Sequence, residues 1–447
     1  MNIIQFEDKP LAHYSYAIIS QDKMVLVDPS RDPKRYYKLA EKNNAKIVAV
    51  FETHPHADFV SSHLQIHKET GATIYVSKMV GANYPHKTFD DGDTFNLGDV
   101  MFFAINTPGH SPDSITIIAK RKEDYAMFSG DTLFIGDVGR PDLREKAGNM
   151  KAKREALAKS MYQTMQTKFN GLPDHTVVYP AHGAGSLCGK NMSTDASSTL
   201  GRERKENWAF KNLSEDEFVN HILADQPFIP SYFGFNVDIN KSGADNFERS
   251  IAQPEFHLKA QGVQEKDVLI VDVRSAEQYK QNHIKGSINI MAKTEDDKLE
   301  TWLGSIVVPE EKFYVVLNSV EDKVDVLHRI AKIGYEKQVI GLLTLDDSTF
   351  ETSETLNLED FKKHPDHYTI VDIRNKSEVV EEKFFENAIY HPLDELRDTA
   401  NEIPKNKPIV VHCAGGYRSS AGTSILQKAL EGVKVYDLSD AIIHFKN

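Results

Sequence analysis

Short apolar runs broken by polar turns recur along this chain, and most of them are too short to be helices. Ile47-Val48-Ala49-Val50-Phe51 reads as a buried strand, and so do Phe102–Asn106, Tyr125–Phe128 and Val177–Pro180. Tyr16–Ser20 and Met24–Val27 flank the polar Gln21-Asp22-Lys23, which predicts a hairpin. A helix is predicted from Pro33 to Asn43, between the hairpin and the next strand. From about residue 250 the pattern repeats. Leu269-Ile270-Val271-Asp272-Val273-Arg274 matches Thr369-Ile370-Val371-Asp372-Ile373-Arg374, each an apolar strand ending in Asp-x-Arg. His283–Asn289 then corresponds to Asn387–Leu393, and Phe313–Asn318 to Pro408–Cys413, with a helical pattern from Ser419 to Leu430. Strands alternating with helices predict layered α/β domains. We expect one over 1–245 and two copies of a smaller module over 250–350 and 356–447, with Ser348–Asn357 as the polar connector.

Composition narrows the classes. A chain of 447 residues is too long for one core. Its formal charge of -13 and the absence of a Lys/Arg block argue against nucleic-acid binding. No apolar run reaches membrane-spanning length, and the first residues lack the basic start and apolar stretch of a signal peptide, so no membrane association is expected. The two cysteines, Cys188 and Cys413, are too few for a disulfide framework to hold the fold, and they predict a reducing cytoplasm.

The polar residues just past the strands carry the chemistry. His54-Pro55-His56-Ala57-Asp58 follows the strand at 47–51, and Pro55 keeps His54 extended. Residues two apart in an extended chain point to one side, so His54, His56 and Asp58 can face one metal. His110, Asp131 and His182 each sit in a Gly- or Pro-containing turn at the end of a later apolar run. In the last repeat, Cys413-Ala414-Gly415-Gly416-Tyr417-Arg418 joins a buried strand to a helix. Its glycines let backbone N–H groups curl toward the sulfur, and the helix N-terminus adds positive potential. Such a loop stabilises a thiolate and the persulfide formed on it. The equivalent of Cys413 in the first repeat is Asn318, followed by acidic Glu321 and Asp322, so that copy is expected to be silent, a scaffold or a separate binding module.

The series H-x-H-x-D, P-G-H, G-D-T and A-H-G resembles the metallo-β-lactamase fold, an αββα sandwich, in its glyoxalase II-like branch. The segments Thr53–Asp58, Ser129–Phe134, Asp137–Asp142 and Ala181-His182 most resemble the persulfide dioxygenases. That resemblance implies one Fe(II) per chain on His54, His110 and Asp131, with His56, Asp58 and His182 orienting ligands or waters around it. His56 stays open as a direct ligand, because the hydrolases of this fold use both histidines of the pair. Proteins of this fold usually carry His directly after the Asp of H-x-H-x-D, and the hydrolases use it for a second metal. Phe59 stands there in this chain and cannot ligate.

The tandem modules resemble rhodanese domains. Phosphatases of related architecture place five residues between Cys and Arg, whereas four separate Cys413 from Arg418, as in sulfurtransferases. Together the resemblances imply oxidation of small thiol persulfides by O2 to sulfite, and transfer of sulfane sulfur through Cys413, with Arg418 in its loop, to sulfite as thiosulfate. Arg140 is a candidate for holding a carboxylate of the thiol carrier, or else a solvated loop residue; Cys188 is a candidate sulfur relay, or else a packed thiol. The carrier (glutathione, coenzyme A, bacillithiol or cysteine) is left open, and a homo-oligomer, dimer or tetramer, is expected. The rival classes are a zinc thioester hydrolase and a non-catalytic sulfur carrier or sensor.

Overall fold

The computed structural model describes residues 1–446 apart from 144–149, 258–262, 264–267 and 346–349, so the first two residues of the expected connector lie outside the described residues. The chain divides into two compact units, one of Met1–Arg249 with Lys332–Gly334 and one of Ser250–Ala331 with Tyr335–Asn447.

The first unit holds two six-stranded sheets. In one, the strands Asn2–Asp8, His13–Ser20 and Lys23–Val27 run antiparallel in turn, and Lys46–Phe51 then pairs parallel to Lys23–Val27. The other carries Val100–Asn106, Ile115–Arg121, Asp124–Gly130 and Val177–Pro180, the last two parallel. Side-chain alternation builds the layers. Tyr16, Ile18, Val25, Val27 and Phe51 face Phe102, Ile117, Ala119 and Phe128 of the other sheet in a shared core. Ala17, Ile19, Met24 and Leu26 point the opposite way, where Tyr36 and Ala40 of helix Lys34–Lys42 cover them. On the far side, Ile118, Met127 and Val178 meet Ala158, Met161 and Met165 of helix Met150–Thr167. This is an αββα sandwich, and burying both faces of each sheet explains why its strands read as nearly continuous apolar runs.

The second unit contains both repeats, each with its own parallel sheet. Leu269–Asp272 pairs with Phe313–Leu317, and in the same way Thr369–Asp372 pairs with Ile409–His412. The repeated Asp-x-Arg closes on itself in both. Arg274 grips Asp272 at 2.9 and 2.6 Å, and Arg374 grips Asp372 at 3.0 and 2.7 Å. Taking such a pair out of water is tolerable because each guanidinium meets both carboxylate oxygens.

His412, next to Cys413, is buried against Phe384 and Phe385, and burial pushes its imidazole down to about 4. A folded-state value below the unfolded 6.5 stabilises the fold fully above pH 6.5, and that contribution is lost as pH falls through 4. Calorimetric unfolding should therefore show His412→Leu removing up to about 3 kcal/mol of the pH dependence between pH 7 and 4. An identical pH dependence in the variant contradicts this assignment.

Candidate metal centre and cysteine loop

His54, His110 and Asp131 come together although they are far apart in sequence, because each lies just past the end of a strand. All three are buried, and one donor atom from each lies within 4.8 Å of the others. Neighbouring groups settle which atom each presents. Thr53 Oγ1 donates to Asp28 Oδ2 at 2.8 Å and lies 3.0 Å from His54 Nδ1. With its single proton given to Asp28, the hydroxyl accepts from Nδ1–H, so the His54 lone pair is on Nε2. His110 Nδ1 meets the Arg140 carbonyl at 2.8 Å, which accepts only, so its lone pair is on Nε2 as well. Asp131 Oδ1 receives His182 Nδ1 at 2.7 Å, while Oδ2 is buried without a hydrogen-bond partner.

The two Nε2 atoms stand 3.7 and 3.5 Å from that Oδ2, too far for hydrogen bonds. Ligands about 2.1 Å from one ion at right angles are about 3 Å apart, so a metal ion needs only a slight contraction of the three groups. The bare Asp131 oxygen is what such an ion would satisfy. Burial opposes charge on Asp131, yet the imidazoles of His182, His110 and His54 outweigh it and hold the carboxyl well below the usual range. The loop that carries Arg140 packs hard against this turn. A Cβ on Gly139 would fall 1.9 Å from the Asp131 carbonyl, so only glycine fits there.

Around this set, His182 spans two carboxylates, with Nδ1 on Asp131 and Nε2 2.7 Å from Asp58 Oδ2. Burial lowers its proton affinity, but Asp131 and Asp58 raise it well above the ordinary value. His56 turns toward Asp28, 3.2 Å from its Oδ1, and its donor atom groups with Asp131 and His182 or with Asp28 and Glu52 rather than with His54 and His110. Phe59 stacks 3.9 Å from His13, a fully buried histidine that strand periodicity alone does not single out. Cys188 has its sulfur within 4.8 Å of donor atoms of Asp58 and His182, and burial pushes its thiol up. Arg140 is neither solvated nor presented to a ligand. It is buried, forks onto Asp142 at 2.6 and 2.7 Å, and reaches the Leu187 and Phe228 carbonyls. The Asp142 partner, two residues on, takes the carboxylate role expected of a substrate.

In the second unit, Cys413 directly follows strand Ile409–His412 and is buried, and Gly416 N donates to its sulfur at 3.1 Å. Gly416 has φ +97°, and a Cβ there would approach Asp440 N to 2.8 Å, so the loop needs glycine at this point. Helix Tyr417–Ala429 starts immediately after it. Tyr417 contributes backbone only, since its hydroxyl donates to the Met291 carbonyl of the first repeat at 3.0 Å. The same helix receives Asn289 N on Ser424 Oγ at 3.1 Å, so the first repeat buttresses the loop of the second. In the first repeat, Ser319 N donates instead to Asp322 Oδ2 at 2.9 Å, and Asn318 accepts from Gln278. The N–H that would face an anion is thus occupied internally.

The metallo-beta-lactamase superfamily profile matches residues 8–182, and the rhodanese-like domain profile matches 257–343 and 357–445. A metallo-beta-lactamase from Staphylococcus aureus of solved structure is 31% identical, with a TM-score of 0.69 over 77% of this chain and 99% of that one. The chain belongs to the metallo-β-lactamase superfamily. Two rhodanese-like domains follow the metallo-β-lactamase domain. Among curated relatives, a probable hydroxyacylglutathione hydrolase of Schizosaccharomyces pombe is 26% identical over 48% of this chain and 88% of its own length. The mitochondrial persulfide dioxygenase of Bos taurus is 28% identical over 48% of this chain and 77% of its own length. This superfamily member carries a metal-binding His/Asp cluster of the kind its fold implies.

If Thr53 fixes the His54 tautomer, Thr53→Val should weaken metal binding about 10–100-fold, measured by competition with a chelator. An unchanged affinity in a folded variant contradicts that role.

Proposed function

We propose that the chain oxidises low-molecular-weight thiol persulfides with O2 at the His54, His110 and Asp131 centre, and moves sulfane sulfur through Cys413. The observation that carries this reading is the donor set itself: two imidazoles and one carboxylate converge, and Phe59 stands where a second-metal histidine would be. Bound Fe(II) would supply the redox capacity that zinc lacks, with coordination positions left open by only three protein ligands. The net reaction is RSSH + O2 + H2O → RSH + SO3²⁻ + 2H⁺. In it, Thr53 and the Arg140 carbonyl keep the two imidazoles turned to the centre, and His182 keeps one oxygen of Asp131 out of the way. His56 and Asp58 belong to the polar wall behind it, and Cys188, whose sulfur lies within 4.8 Å of donor atoms of Asp58 and His182, is the candidate relay. Arg140 acts as a brace for His110 rather than as a ligand for the thiol carrier.

Sulfite then takes sulfur from the Cys413 persulfide, giving thiosulfate. Joining both centres in one chain raises the local concentration of sulfite at the second. A cytoplasmic setting and a homo-oligomeric assembly complete the proposal; among the described residues no helix is long and apolar enough to cross a membrane.

The Schizosaccharomyces relative supports a second reading, a zinc thioester hydrolase. Oxygen uptake with glutathione persulfide and coenzyme A persulfide separates the two. We expect O2 consumption with sulfite release and no hydrolysis of S-lactoylglutathione; hydrolysis without O2 uptake overturns the proposal. Within it, Cys413→Ser should drop thiosulfate to background while sulfite release persists. Thiosulfate accumulating at the normal rate contradicts the division of labour.

A further inference from the structure

Arg418 closes the cysteine loop, yet its charge is already answered. Its Nη1 and Nη2 both donate to Glu378, at 2.6 Å each, in a fork-to-fork pair. The pair is largely withdrawn from water, with side-chain exposures of 13% and 30%. Glu378 is itself fixed, because its Oε2 also accepts Asn375 N at 2.9 Å in the cap of helix Lys376–Glu381. The Trp302 ring of the first repeat lies 5.7 Å from the guanidinium carbon. Arg374, the neighbouring cation, is likewise taken by Asp372. With those two cations paired, the backbone is in place to attract an anion at Cys413: Gly416 N donates to its sulfur, and helix Tyr417–Ala429 starts beside it. The repeat supplies a comparison. Asp272, Arg274 and Ser275 correspond in register to Asp372, Arg374 and Asn375, and the residue in place of Glu378 is the uncharged Gln278. The acid occurs in the copy that carries the cysteine.

We propose that Glu378 is a positioning residue that sets the anion affinity of the Cys413 site, holding Arg418 in a neutral pair so that dianionic sulfite and thiosulfate bind loosely and leave. The proposal rests on reading Cys413 as the sulfur carrier. In the step concerned, the sulfite sulfur lone pair attacks the outer sulfur of Cys413–S–S⁻. The new S–S bond forms as the old one breaks, and the bonding pair stays on the Cys413 sulfur: Cys–S–S⁻ + SO3²⁻ → Cys–S⁻ + S2O3²⁻. Three negative charges meet there, before and after. A free guanidinium would hold the dianionic product as firmly as it attracts the acceptor, trading turnover for affinity.

The test uses the full chain without O2, glutathione persulfide as donor, and either sulfite or cyanide as acceptor; cyanide is present mainly as uncharged HCN and attacks as the monoanion after releasing its proton to water. Glu378→Gln should lower the KM for sulfite about tenfold and lower kcat with it, leaving the KM for cyanide unchanged. Glu378→Asp, which keeps the charge, should restore wild-type behaviour. An unchanged or raised sulfite KM, or a parallel fall for cyanide, overturns the proposal. A second readout does not depend on sulfur transfer: the rate of Cys413 alkylation by anionic iodoacetate relative to neutral iodoacetamide, resolved by mass spectrometry, in Glu378→Gln and Glu378→Ala. That ratio should rise about tenfold, and a constant ratio overturns the proposal. Wild-type chain that makes no thiosulfate refutes the sulfur-carrier reading instead, and the alkylation ratio then decides the role of Glu378 alone.

Discussion

One oxygen of a buried carboxylate, Asp131 Oδ2, has no hydrogen-bond partner, and much of the first unit is arranged so that it can stay that way. A bare carboxylate oxygen removed from water is costly unless a cation or proton answers it. His182 secures the other oxygen, Thr53 and the Arg140 carbonyl aim two imidazole lone pairs at the first, and Gly139 lets the supporting loop approach closely. Each of these contacts loses its purpose if the carboxylate is simply protonated. The group suits a positive ion, and this donor set carries more weight than the fold, which alone does not fix the reaction.

The second unit holds two rhodanese-like domains that share one lock and differ at one loop. Both repeats keep the Asp-x-Arg pair that locks the strand end, because that pair is structural. They part at the loop after the next strand. Gly415 and Gly416 leave the backbone of one copy open toward a sulfur, whereas Ser319 and Asp322 close the other into a capped turn. The closed copy is not idle, since Met291 and Asn289 hold the helix that follows Cys413.

Much of this was legible along the chain. The strands before His54, His110 and His182 end where their apolar runs end, the strand before Asp131 runs two residues further, to Gly130, and the hairpin at Gln21-Asp22 and the helix Lys34–Lys42 fall where periodicity puts them. What could not be read was anything that depends on two strands lying side by side. Asp28 reaches Thr53 because Val27 pairs with Phe51, a register no local pattern specifies; an acid right after an apolar strand was the available signal. Arg140 looked like a loop arginine offered to a ligand, but the fold buries it on Asp142. His13 and Glu378 were missed for the same reason: one is an apolar-strand histidine and the other a helix-cap acid until tertiary neighbours give them meaning.

The count and identity of tightly held metal ions test the central claim most directly. Full chain reconstituted separately with excess Fe(II), without O2, and with excess Zn(II), then desalted, should retain one iron per chain, and lose it when His110 is replaced by alanine. Two firmly held zinc ions per chain, or iron retained without His110, would contradict a single centre built on His54, His110 and Asp131.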